Sequence, residues 1–121
     1  MTVASLEAPV LNEARRITKA LAAVRRRGGL TVTGMCCQSC SWAEAERRAE
    51  AAEGVTVVAL INAQALDDAF PDGRRKRMRR TLYVHHDGDS AALCEAFRAQ
   101  GLRVHWDGDM DKAIQVLPDI D

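Results

Sequence analysis

At 121 residues the chain is the size of one domain, long enough to bury a modest core without disulfide staples. Hydrophobic residues are 47%, charged residues 28% and aromatics only 4%, the composition of an ordinary folded protein with an aliphatic core. No window approaches the roughly 18 apolar residues of a membrane span, and the N-terminus lacks a basic start followed by an apolar run, which predicts a cytoplasmic protein with no membrane partner.

The net charge of zero conceals blocks of opposite sign. Lys and Arg outnumber Asp and Glu by 6 to 2 over residues 1–29 and by 6 to 1 over 71–80, and the balance is 2 to 6 over 30–70 and 3 to 8 over 81–121.

Residues 1–9 are small and mixed, and a flexible tail is expected there. Over 10–29 the positions Leu11, Ala14, Ile17, Leu21 and Val24 recur at helical spacing, with Arg15, Arg16, Lys19, Arg25 and Arg26 around them, so this segment is an amphipathic helix stopped by Gly28-Gly29. The remainder, 30–121, reads as an α+β domain. Leu30 to Thr33 is a short strand running into the cysteines, and Ser39 to Glu53 is a helix rich in Ala and Glu. Val55 to Ile61 is a nearly continuous apolar run, which predicts a strand covered on both faces.

Asn62 to Phe70 has the composition of a helical turn. Pro71-Asp72-Gly73 then opens the basic run Arg74 to Arg80, expected as a mobile loop. Strands follow at Thr81 to Val84, Leu102 to Trp106 and Ala113 to Leu117, with a helix over Asp89 to Gln100 between the first two. The order predicts an N-terminal helix followed by a split β-α-β (ferredoxin-like) sandwich with an added C-terminal strand, two helices lying on one face of a mostly antiparallel sheet.

The chemistry concentrates in Gly34-Met35-Cys36-Cys37-Gln38-Ser39-Cys40, which holds three of the four cysteines. In a reducing cytosol these are free thiols or metal ligands rather than bridges. A strand end meeting a helix start puts them near free backbone N–H groups, which lowers thiol pKa values. Cys37 and Cys40 form a Cys-x-x-Cys pair with Cys36 as a third ligand, a set suited to Zn(II) or Cu(I) rather than a hard cation. Cys94, His85 or His86 would have to complete a tetrahedron from elsewhere. A tight turn can also hold inert thiols, since free Cys is among the most buried residue types.

The segment Gly34 to Cys40 fits the G-M-x-C-x-x-C motif and so resembles the heavy-metal-associated domains of copper chaperones and metal-transporting ATPases, with Gly54-Val55 near that family's Gly-Val. The resemblance covers residues 30–62 and implies Cys37 and Cys40 as two-coordinate Cu(I) ligands. The segment leading to Thr81 is longer than that family's hairpin, and Cys36 occupies its variable position. A second resemblance runs through most of the chain. Cys36-Cys37-Gln38-Ser39-Cys40, the strand Val57 to Ile61, Gln64, Gly101-Leu102 and Trp106-Asp107-Gly108 resemble an actinobacterial family grouped as a domain of unknown function. In that family C-C-x-x-C is followed by Gly, a strand ends in His-x-Gln-Asp, and a later strand leads to W-D-G. Here Ser41, Asn62 and Ala65 replace the family's Gly, His and Asp.

Other candidates carry less. His85 and His86 are adjacent on a strand and point to opposite faces, so at most one can be a ligand. A catalytic triad would need Ser39 or Ser90 beside one of them, and neither serine has a nucleophile-elbow context. Asp107, Asp109 and Asp111 alternate like a calcium loop but lack its sixth-position Gly and its final Glu, leaving a hairpin turn. Arg74, Arg75, Lys76, Arg77, Arg79 and Arg80 could bind nucleic acid or an acidic protein without reading sequence, and could equally dock on the acidic C-terminal segment of this chain or of a second copy in a homodimer. No base, nucleophile and oxyanion set can be assembled, so the expected protein is a non-enzymatic domain with a zinc-like or reactive-thiol cluster at Cys36, Cys37 and Cys40.

Overall fold

The first helix begins where Asn12 accepts the Arg15 N–H on its side-chain oxygen at 2.9 Å, the usual device for satisfying a free donor at a helix start. The computed structural model describes residues 12–119. The tail expected over 1–9 and the expected first helical residues, Val10 and Leu11, lie outside them. Helix α1 (Glu13–Arg26) buries Ile17, Ala20, Leu21 and Val24 along one stripe, as the 3.6-residue period requires. Strand β1 (Leu30–Thr33), helix α2 (Gln38–Ala51), strand β2 (Val57–Ile61), helix α3 (Ala63–Ala69), strand β3 (Leu82–Gly88), helix α4 (Ser90–Ala99), strand β4 (Arg103–His105) and strand β5 (Ile114–Leu117) follow.

The expected α+β class with an N-terminal helix is the class observed. The five strands lie in the order β1-β2-β3-β5-β4. β1 and β2 are parallel neighbours, Leu30 opposite Val58 and Thr33 opposite Ile61, so no strand divides the first β-α-β unit. β3 and β4 are both antiparallel to β5 and therefore parallel to each other with β5 between them. The split unit is the second one, and the final strand is inserted inside the sheet rather than added to its edge.

The expectation of two helices sharing one face needs correction. α1 and α4 pack on the face carrying Val57, Ala59, Ile61, Leu82, Val84, Ile114 and Val116, which with Leu93 and Phe97 make the main core. α2 alone covers the opposite face, where Val32, Ala45 and Leu60 form a smaller cluster flanked by Met35 and Trp42. Alternation along β2 explains both sets, since successive residues of a strand point to opposite sides. β2 is covered on both faces, as its apolar run predicts.

The basic segment 71–80, expected to be mobile, is tied down at several points. Met78 is 2% exposed and belongs to the main core. Its N–H donates to Glu13 Oε1 at 3.0 Å, and the Arg79 N–H donates to the Ala69 carbonyl at 2.8 Å. Arg79 also pairs with Asp72 at 3.0 Å, and Arg77 donates to the Asp119 carbonyl at 3.3 Å. That last contact links the basic run to the backbone of the C-terminal segment within the chain.

Candidate metal centre

The cysteines sit where β1 leaves the sheet. The Gly34 N–H donates to the Ile61 carbonyl at 2.9 Å, continuing the parallel ladder one residue past β1, and the backbone then turns through φ +81° at Gly34. That conformation strains a side chain even though no atom lies within 4 Å of where its Cβ would be. Half-buried Met35 packs against the Val32, Ala45 and Leu60 cluster, and its carbonyl accepts the Ala63 N–H at 2.7 Å. These contacts fix both sides of the turn before the first cysteine.

Cys37 is the N-cap of α2, extended at φ −153° and ψ 174°, and Cys40 lies in the first helical turn three residues on. This spacing brings both sulfurs over the helix start. Cys36 Sγ lies 3.2 Å from Cys40 Sγ and 3.8 Å from Cys37 Sγ, and all three sulfurs fall within 4.8 Å of one another. A tetrahedral zinc with bonds of about 2.3 Å separates its sulfurs by about 3.8 Å, so the donor set fits a soft ion with little movement. Beneath the cluster, buried Ser41 donates its hydroxyl to the Cys37 carbonyl at 2.9 Å. Ser41 thus braces the turn.

The three thiols differ electrostatically. The Cys40 backbone N–H facing Cys37 Sγ, assisted by the Cys40 and Cys36 side chains, holds the Cys37 pKa below its ordinary value, although no full side-chain cap hydrogen bond is formed. Hydrogen bonds from Cys40 to Cys36 and Cys37, and the charge those sulfurs can carry, push Cys40 up to about 11. With Cys40 held protonated at neutral pH, an ion taken up by all three sulfurs must displace a proton.

The helix bearing the site is anchored through Glu44. Arg47 donates to its carboxylate at 2.9 and 2.5 Å and Arg48 at 2.6 Å, while Arg48 also reaches the Thr31 carbonyl on β1 at 3.3 Å. Hydrogen bonds from Arg47 and then Arg48 bring the Glu44 carboxyl from 4.5 down to about 2. A depressed folded-state value means that the pairing stabilises the fold above the unfolded pKa and stops doing so as the carboxyl protonates. Melting temperatures measured on descending from 4.5 to about 2 should therefore fall more steeply for the wild type than for Glu44→Gln; equal slopes would remove this anchor from the account.

The proposed completing ligands do not join the cluster. Cys94 is 2% exposed in the main core under α4, across the sheet from α2, and burial pushes its thiol pKa up. His85 is half-buried beside Gln38 and Trp42, on the α2 side, and burial, then the charge of His86, lowers its pKa. Among the described residues, only the three cysteines form a close ligand group. His86 points the other way, as strand alternation requires, with Nδ1 2.5 Å from Ser90 Oγ and Nε2 2.7 Å from the Lys112 carbonyl.

Ser90 and His86 are thus brought together, a contact that the sequence pattern does not reveal. Both are buried, at 2% and 5% exposed respectively, and with the Lys112 carbonyl on the second ring nitrogen the pair ties the start of α4 to β3. Trp106 packs edge-on against His86 at 5.2 Å and donates to the Asp109 carbonyl at 2.9 Å. The Asp107 and Asp109 carboxylates accept the Asp109 and Asp111 N–H groups, each at 2.9 Å. The W-D-G segment is a self-bonded turn closing over the buried histidine, within the connection between the antiparallel strands β4 and β5.

Among the described residues no helix is long and apolar enough to cross a membrane. No curated protein and no solved structure matches the chain. A family model described as "Domain of unknown function (DUF6891)" matches residues 9–121, and the chain belongs to that family.

Proposed function

We propose that this domain is a non-enzymatic holder of one soft metal ion, zinc in the first place, through Cys36, Cys37 and Cys40. The observation that carries the reading is the convergence of three sulfurs within 4.8 Å at the start of α2. Thiolates select soft or borderline cations over hard ones, and three protein donors leave a fourth tetrahedral position for an outside ligand. Cu(I) suits the same sulfurs, with Cys36 added to the Cys37 and Cys40 pair that the heavy-metal-associated resemblance implies.

A second reading rests on the 3.2 Å between Cys36 and Cys40, which also suits a redox-responsive pair. An oxidant that removed two electrons and two protons would join those sulfurs as a disulfide. Native mass spectrometry with elemental analysis, on protein purified without added metal, separates the two. One zinc or copper ion per chain, lost on Cys37→Ser, is the expected result. A metal-free chain lighter by two hydrogens would favour the redox pair, and a metal-free chain with three freely reacting thiols would overturn both.

A further inference from the structure

The two basic blocks of the sequence meet on the molecule. Arg15 and Lys19, one helical turn apart on the outer side of α1, face Arg74 and Arg75 of the 71–80 segment across a groove of about 850 Å³, floored by Ala14, Thr18 and Asn12. All four cationic side chains are exposed, and among the described residues none has an ion-pair partner. Two nearby acids among the described residues are occupied. Glu13 accepts the backbone N–H groups of Met78 and Asp119 at 3.0 Å each, and Asp72 takes Arg79.

The far wall of the groove is preorganised. Met78 is buried in the core, the Asn12 amide donates to the Arg74 carbonyl at 3.5 Å, and the Gly73 and Lys76 N–H groups close turns onto Phe70 and Gly73 at 3.0 Å each. Four cations are therefore held around one concavity before any ligand arrives, so the cost of assembling them falls on folding rather than on binding. The groove lies on the α1 side of the sheet, away from the cysteines, and is independent of the metal reading.

We infer that this groove binds phosphate-rich polyanions, the four cations contacting successive phosphates. Three of the four are Arg, and guanidinium matches phosphate geometry with two parallel hydrogen bonds. Among the described residues the lining has no aromatic side chain for base stacking and no apolar anchor of the kind that protein interfaces centre on. Recognition is therefore of phosphate charge and spacing, without base sequence. The same chemistry is offered by a nucleic-acid strand and by free polyphosphate.

The test is fluorescence anisotropy with a labelled oligothymidine strand across a salt series, competed by inorganic tripolyphosphate and by poly-glutamate. Four contacts to a single strand predict a log–log salt slope of about −2.8, at about −0.7 per contact. Arg15→Ala with Lys19→Ala, and Arg74→Ala with Arg75→Ala, should each halve that slope to about −1.4 and weaken binding about tenfold or more at low salt. Arg47→Ala, on α2, should change neither.

A strand that outcompetes tripolyphosphate identifies nucleic acid as the source, and the reverse order identifies free polyphosphate; either supports the proposal. Loss of binding in the loop pair alone, an equal loss in Arg47→Ala, tighter binding of poly-glutamate, or no binding to either phosphate probe overturns it. Because all four positions are exposed, unchanged melting of the variants is expected. The wild-type salt slope decides the matter even if one variant fails to fold.

Discussion

Glu13→Ala should lower the unfolding free energy by about 3 kcal/mol, the sum of two charge-assisted hydrogen bonds at about 1.5 kcal/mol each, the low end of their range. Glu13 is 3% exposed at the first position of α1, and its two oxygens accept the Met78 and Asp119 N–H groups at 3.0 Å each. One short side chain therefore ties the N-terminal helix to the basic segment and to the C-terminal segment. Truncation leaves the Met78 N–H buried without an acceptor, whereas the partly exposed Asp119 N–H can turn to water.

A loss of about 3 kcal/mol is a large share of the roughly 5–15 kcal/mol that holds a domain folded. At roughly 4 °C per kcal/mol it would lower the melting temperature by about 12 °C. Glu13→Gln retains one acceptor oxygen and should cost about half as much. Hydrogen exchange provides a local readout, since the Met78 amide should lose protection ahead of the sheet. A Glu13→Ala protein within about 0.5 kcal/mol of wild type, the scatter of neutral surface changes, would show that the two segments are held by packing alone.

Much of this fold is written in local pattern. The stripe Ile17, Leu21 and Val24 announces α1, and the nearly continuous apolar run of β2 announces a strand buried on both faces. What local pattern cannot carry is which strands become neighbours. β1 and β2 pair directly and β5 slides between β3 and β4, and these choices send α2 to the opposite face from α1 and α4. β3 also continues through His85 and His86 to Gly88, although those residues read as a strand end, because pairing with β2 from Val57 opposite Gly88 onward satisfies their backbone.

The candidate site divides in the same way. Its three sulfurs are adjacent in sequence, so their convergence follows from a single strand-to-helix turn. The absence of a fourth close ligand among the described residues depends on which faces Cys94, His85 and His86 occupy, which is a matter of the whole sheet. Met78 is the clearest concealed signal. It stands among six cations, and only its uniqueness as an apolar residue in that run hints that the segment is pinned to the core there. The basic groove likewise needs the fold, since Arg15 and Arg74 are remote in sequence.

Zinc should stabilise the wild-type chain by about 4.1 kcal/mol when free metal is a thousandfold above the dissociation constant, which at roughly 4 °C per kcal/mol raises the melting temperature by about 16 °C. Loss of one thiolate leaves two sulfurs and no other close ligand among the described residues, so Cys36→Ser, Cys37→Ser and Cys40→Ser should each abolish most of that rise. Cys36→Ser is the decisive variant. Exposed Cys36 lies outside the Cys-x-x-Cys pair and belongs to the site only through its 3.2 and 3.8 Å sulfur contacts. The most direct measurement is therefore the zinc-dependent melting shift of Cys36→Ser against wild type: a shift that collapses in the variant is the predicted result, and a shift that survives unchanged, or is missing from the wild type, contradicts a three-sulfur metal centre.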